Sequence, residues 1–180
     1  DIFDNHENFI FVDIVGDVTD ISLIKKEIIR ESTSFPLGPN FMIRGVAEEL
    51  NCTLDEAKSL ISLYKDGHAD GKMEQKLDPV ISRLRSDWLK LFQESLAGLS
   101  NDISIPATIF VNVDQDLAGF FSETIKTEQH NKYTLTESKF QVIFLGTEEL
   151  HNFVQFEKDT ARDQFTMMEA MYINRFLSKK

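Results

Sequence analysis

The residues best suited to chemistry lie close together near the start of the chain. The stretch Asp13-Ile14-Val15-Gly16-Asp17-Val18-Thr19-Asp20 holds three carboxylates, one glycine and one hydroxyl. Carboxylates are hard oxygen donors of the kind that hold Mg²⁺ or Ca²⁺. A glycine at a turn lets backbone N–H groups come close to an anion. This composition allows a metal site on Asp13, Asp17 and Asp20, and Gly16 marks a tight turn between them. The spacing of the three aspartates is not that of an EF-hand loop, and carboxylates solvated at loop mouths are the commoner case. A second acidic group, Asp114-Gln115-Asp116, stands where an apolar run passes into a helix. Nucleophilic chemistry has little support. Cys52 falls at a helix–helix junction, where cysteine is most often an inert core residue. His6, His68, His130 and His151 are scattered and form no HExxH-like spacing.

The elements that must position these groups can be read from periodicity. Phe9 to Val15 contains one charge, Asp13, and suits a strand buried on both faces. Gly16 marks a turn, Val18 to Ile24 a second strand, Lys25-Lys26 a second turn, and Glu27 to Phe35 a third strand. Pro36, Gly38 and Pro39 punctuate the chain. A helix is expected from about Asn40, with Ile43, Val46, Ala47 and Leu50 on one face. Thr53 and Glu56 form a capping-box pattern for the next helix, whose apolar face is Leu54, Ala57, Ile61 and Tyr64. Asp78-Pro79 reads as the start of a helix running to about Leu99, roughly 30 Å at 1.5 Å per residue. Its stripe of Ile81, Leu84, Trp88, Leu91 and Ser95 suits packing on a sheet better than a coiled-coil seam. Ala107 to Val113 is a further strand, Asp116 to Ile125 a helix, and Phe140 to Leu145 a strand. Glu148 to Phe156 is ambiguous, and Asp159 to Leu177 reads as a last helix. Its basic end, Arg175, Lys179 and Lys180, could be interfacial, but Asp159, Asp163 and Glu169 favour packing on the sheet.

The first hairpin resembles the second phosphate motif of the actin-like ATPase superfamily, which includes actin, the heat-shock chaperone ATPase domain, FtsA and PilM. That motif reads Asp-apolar-Gly-Gly-Gly-Thr/Ser-Thr-Asp, and Asp13, Gly16, Thr19 and Asp20 match it. Val15, Asp17 and Val18 depart from it. The segment Phe35-Pro-Leu-Gly38 with its helix, then Leu54-Asp-Glu-Ala57, is similar to the region after this hairpin in FtsA and PilM. The resemblance covers Phe9 to about Ile125. It implies an α/β, ribonuclease H-like half of an actin-like ATPase, with a mixed sheet and flanking helices. Residues 9–38 and 104–180 would form the sheet-bearing core and 39–103 an inserted helical lobe of a single unit, 1–180.

The resemblance places a nucleotide cleft between the hairpin and the Val113–Asp116 corner. Its residues here are Asp13, Gly16, Asp17, Thr19, Asp20, Asp114, Gln115 and Asp116. The departures weaken it. Val15 and Val18 obstruct the backbone, and a carboxylate at Asp17 about 4 Å from a phosphate repels it by roughly 4 kcal/mol at an effective dielectric of 20. That is about three decades of affinity. No glycine stands in the adenosine-side loop before Gly119. The expectation is a degenerate cleft without a cofactor, and no enzyme activity. ATP with Mg²⁺ bound by a working half is the alternative.

The resemblance also implies a chain that is one half of a longer protein, since an actin-like ATPase is about twice this length. Its partners would be its own N-terminal half, other copies of itself, and the proteins of a membrane-linked complex in cell division or type IV pilus assembly. Its place would be cytoplasmic, at the inner face of the membrane through those partners. Composition agrees with this. A formal charge of −11 argues against nucleic acid and anionic membrane as primary partners. One cysteine allows no intrachain disulfide and fits a reducing compartment. The sequence shows no signal peptide and no run of about 18 apolar residues.

Overall fold

A computed structural model describes residues 6–26, 28–99, 105–126, 139–146, 150 and 164–172. Three strands come first: β1 (Asn8–Val15), β2 (Val18–Lys25) and β3 (Ile28–Phe35). Three helices succeed them: α1 (Pro39–Leu50), α2 (Leu54–Lys65) and α3 (Gly71–Leu99). Then come β4 (Thr108–Val113), α4 (Gln115–Lys126), β5 (Gln141–Phe144) and α5 (Gln164–Tyr172). The strands form one mixed sheet in the order β3-β2-β1-β4-β5. β1–β2 and β2–β3 are antiparallel, while β4 lies parallel to both β1 and β5.

Side-chain alternation along β1 explains why the sheet is covered on both faces. Ile10, Val12 and Ile14 point to one side, with Ile21 and Leu23 of β2 and Ile109, Val111 and Val113 of β4. All are fully or almost fully buried, and helices α1, α3 and α4 pack over them. Phe9 and Phe11 point the other way and meet Phe110, Leu145 and Met168 of α5 in a smaller cluster. Full burial of each such side chain stabilises by roughly 1.5–3 kcal/mol. Asp13 shares the alternation of Phe9 and Phe11, which fixes the face it occupies.

α3 corrects an expectation. It begins at Gly71, not at Asp78-Pro79, and its 29 residues span about 44 Å. Asp70 caps it: the Asp70 carboxylate accepts hydrogen bonds from Lys72 N (3.0 Å) and Met73 N (2.8 Å). Pro79 therefore sits inside the helix, and Asp78 accepts the Tyr64 hydroxyl at 2.5 Å instead of capping. Burial of Leu77, Val80 and Ile81 on either side holds the helix through the proline. The buried line then runs Leu84, Trp88, Phe92, Leu96, Leu99. Leu91 and Ser95 are only half-buried, because steps of four follow the 3.6 period of a straight helix and not a heptad. Trp88 stacks on Phe92 and meets Phe35 and Phe121 edge-on.

Smaller differences have local causes. On α1 Val46 and Ala47 are buried as expected, together with Pro39 and Met42, while Ile43 and Leu50 pack partly buried against the same core. Gly45 sits under Leu84, where a Cβ would come within 2.5 Å of the Leu84 side chain. Lys25 pairs with Ile28, so the second turn comes after Lys25, and Lys26 takes a φ of 51°. α2 opens with the expected capping box of Thr53 and Glu56. Glu148 to Phe156 except Leu150, residues 101–104 and 127–133, and both ends of the last expected helix lie outside the described residues.

Candidate functional site

The site begins at the carboxyl ends of the parallel neighbours β1 and β4. Ile14 pairs with Val113 there, and open α/β sheets receive ligands just beyond such strand ends. Gly16 turns the chain back with a φ of +58°, between the last paired residues Val15 and Val18. A cleft of about 220 Å³ opens beside the turn. Val15 and Gly16 form one wall, and Asn40 and Ile43 of α1 a second. Lys58, Ile61 and Ser62 of α2 form a third, and Asp114, Asp116 and Leu117 at the start of α4 close it. Small-molecule pockets usually run from about 300 to 1,000 Å³, so this one is tight.

The hairpin turn is clamped from below. Asn40 N donates to the Gly16 carbonyl at 2.9 Å. Gly38 lies so close that a Cβ there would stand 2.5 Å from that carbonyl oxygen and 2.7 Å from Val18 N. Gly38 has an ordinary extended φ of −110°. Its lack of a side chain is needed for room, not for conformation. Thr19 is completely buried. Its hydroxyl donates to the Leu37 carbonyl (2.7 Å) and accepts from Trp88 Nε1 (3.1 Å). One threonine thus ties the hairpin to the Gly38 segment and to α3.

The acidic residues divide into separate environments. Asp114 and Asp116 line the cleft with Gly16. The Asp114 carboxylate accepts from Asp116 N at 3.0 Å and so caps α4. Asp116 lies 3.9 Å from Lys58 Nζ. Asp17 turns toward α1, where Arg44 Nη1 is 2.6 Å away and Asn40 Nδ2 3.5 Å. The Arg44 guanidinium, hydrogen-bonded to it, holds the Asp17 carboxyl below the usual carboxylate range, with help from Asn40. Asp13 and Asp20 face each other across β1 and β2 on the opposite face of the sheet, and neither lines the cleft. Burial pushes the Asp13 carboxyl up; the Asn112 amide, donating at 2.7 Å, works against this, and the charge of Asp20 adds to it. Asp13, Asp17 and Asp20 are therefore not brought together, and among the described residues no three His, Cys, Asp or Glu side chains converge as a metal site.

Two features of the cleft oppose a bound anion. The start of a helix attracts anions through its free N–H groups, and at α4 the chain's own Asp114 occupies that place. The two basic residues nearest the turn, Lys58 and Arg44, are each paired to an aspartate. Sequence alone did not single out either of them, nor Asn40 and Ser62. Asn40 and Arg44 are four apart, as are Lys58 and Ser62, so each pair shares a helix face. That spacing was visible, but nothing in the sequence says which polar face looks into a cleft.

No family model matches the sequence, and no curated protein sequence is similar to it. Solved structures are. The ethanolamine utilization protein EutJ from Carboxydothermus hydrogenoformans aligns over 76% of this chain and 44% of its own, at 19% identity and a TM-score of 0.45. A chain of the PilM–PilN type IV pilus biogenesis complex aligns over 71% of this chain and 37% of its own, at 15% identity and a TM-score of 0.51. This chain thus spans less than half the length of either. A mixed five-stranded sheet with these flanking helices, together with the likeness to the pilus-complex chain, gives the protein the actin-like, ribonuclease H-like ATPase fold.

Proposed function

We propose that this chain is a non-catalytic, actin-like scaffold or adaptor, of the kind that serves type IV pilus assembly or cell division. The observation that carries the reading is the self-pairing of the cleft. Asp114 caps α4, Asp116 faces Lys58, and Asp17 holds Arg44. The start of α4 and the basic side chains Lys58 and Arg44 are each matched by a carboxylate of the same chain. A cleft kept in this state preserves shape and rejects anions. The partners are the protein's own N-terminal half, further copies, and proteins of a membrane-linked complex, as the pilus-complex neighbour suggests. The chain works on the cytoplasmic side, reaching the membrane through those partners; no described helix is long and apolar enough to cross it.

A second reading has one observation in its favour. The Gly16 turn and the Asp114–Asp116 corner line a single cleft, the arrangement a nucleotide-binding half requires. On that reading the chain completes an ATPase with a first half. Titration of the full-length protein with ATP and Mg²⁺ separates the two: the scaffold shows no saturable binding, and the ATPase half binds at micromolar concentration.

A further inference from the structure

The first two turns of α3 are fastened less well than the rest. Pro79 has no N–H, so the Gln75 carbonyl lacks its helical donor and the ladder is interrupted there. Before the break stands an arm, Gly71–Asp78; after it runs the body, Pro79–Leu99. The body buries a side chain at every turn, from Val80 to Leu99. In the arm Leu77 is buried, Met73 is partly buried, and the other six residues are exposed. Gly67, with a φ of +68°, turns the chain between α2 and the arm. Local stability follows buried apolar contact, so the arm is the part of α3 that opens at least cost.

Two grooves undercut the arm. One, of about 490 Å³, is lined by Leu50, Cys52, Ser59 and Leu60 and by Met73 and Lys76 of the arm. The second, of about 460 Å³, is lined by Glu49 and Leu50 of α1 and by Lys76, Pro79 and Arg83 of α3. Leu50 and Lys76 line both, so open space runs along the arm as far as the proline. A segment bordered by space moves without displacing close-packed side chains. Against this stand two ties at its ends. Asp70 caps the arm through Lys72 N and Met73 N. The Tyr64 hydroxyl of α2 donates to Asp78 at 2.5 Å, next to the break.

We propose that Gly71–Asp78 is a hinged strap, latched to α2 by the Tyr64–Asp78 hydrogen bond. It opens at Pro79 as one unit while the sheet and the body of α3 stay folded. A helix this short does not persist in water once detached, so opening also unwinds it. Leu77 is then exposed, and the groove beside Cys52 is uncovered. Tyr64, Pro79 and the strap itself contribute nothing to the lining of the Gly16 cleft. The device therefore goes beyond the scaffold reading and stands without it.

Amide hydrogen exchange at rising urea concentration tests the strap. Amides from Glu74 to Asp78 are expected to exchange more than about tenfold faster than those from Leu84 to Leu96. Their urea dependence is expected to be weaker, because opening the strap exposes little surface. Tyr64→Phe removes the latch and is expected to speed them about tenfold. Pro79→Ala restores the N–H and is expected to slow them by a similar factor. Thr19→Val weakens the fold through Trp88 in the body, so it speeds exchange there and leaves the strap unchanged. Cys52, the single cysteine, reports on the groove. Its reaction with a bulky aromatic disulfide is expected to quicken with Tyr64→Phe and slow with Pro79→Ala. The proposal is overturned by strap amides that share the body's urea dependence, follow Thr19→Val or ignore Tyr64→Phe, and equally by a Cys52 indifferent to both strap variants.

Discussion

At the scale of residues, two polar groups in the first hairpin, half-buried Asp13 and fully buried Thr19, have opposite consequences for stability. Asp13 is held with its carboxyl raised, by burial first and by Asp20 facing it, while Asn112 partly compensates. The folded state then binds this proton more tightly than the unfolded state does. Stability from this group is therefore gained as pH falls through the raised value and is lowest above it. Asp13→Asn keeps an acceptor for the Asn112 amide and removes the charge. It is expected to raise the melting temperature at pH 7, with the gain shrinking as the pH falls through the carboxylate range in a series of thermal melts. Thr19 works the other way. Thr19→Val leaves the Trp88 indole N–H buried without its acceptor, a loss of about 1–3 kcal/mol. Urea unfolding tracked by the fluorescence of Trp88, the single tryptophan, measures it, and Thr19→Ser is expected to recover most of the loss. The motif match assigned Thr19 to a phosphate turn. The structure shows the hydroxyl engaged with Leu37 and Trp88, a pairing between residues far apart in sequence that no local pattern announces.

At the scale of elements, the close approach of the Gly38 segment to the hairpin is what aims the turn at α1. Gly38→Ala forces a Cβ against the Gly16 carbonyl and Val18 N, which are backbone atoms and cannot rotate away. A loss of about 2–3 kcal/mol is expected. Gly98→Ala meets no atom within 4 Å and lies inside α3, so a gain of up to about 1 kcal/mol is expected. Melting temperatures of the two variants should move in opposite directions, by roughly 2–4 °C per kcal/mol for a chain of this size. The elements themselves were largely legible. β1 and β2 declared themselves through apolar runs parted by Gly16, and α2 through Thr53 and Glu56. The start of α3 was not, because two cap signals compete. Asp78-Pro79 is the stronger local pattern, yet Leu77 is fully buried and Asp70 supplies a cap one segment earlier. Tertiary burial decided between them. The burial of Met42 on α1 has a similar cause: Gly45 lets Leu84 of α3 approach.

At the scale of the whole molecule, the mixed sheet and the meeting of the hairpin with the Asp114–Asp116 corner could be read from sequence. The cleft's electrostatics could not. Asp13, Asp17 and Asp20 looked like one cluster because they are neighbours in sequence. Alternation along β1 and β2 instead sends Asp13 and Asp20 to one face, while Asp114 and Asp116 stay at the cleft on the other. Lys58, which lines the cleft from α2 and pairs with Asp116, and Arg44, which pairs with Asp17 from α1, are invisible until the helices are placed. The central claim is that this cleft is matched from within and kept for shape. Isothermal titration of the full-length protein with ATP and Mg²⁺ tests it most directly. No saturable heat up to millimolar nucleotide is expected; saturable binding at micromolar nucleotide would contradict it.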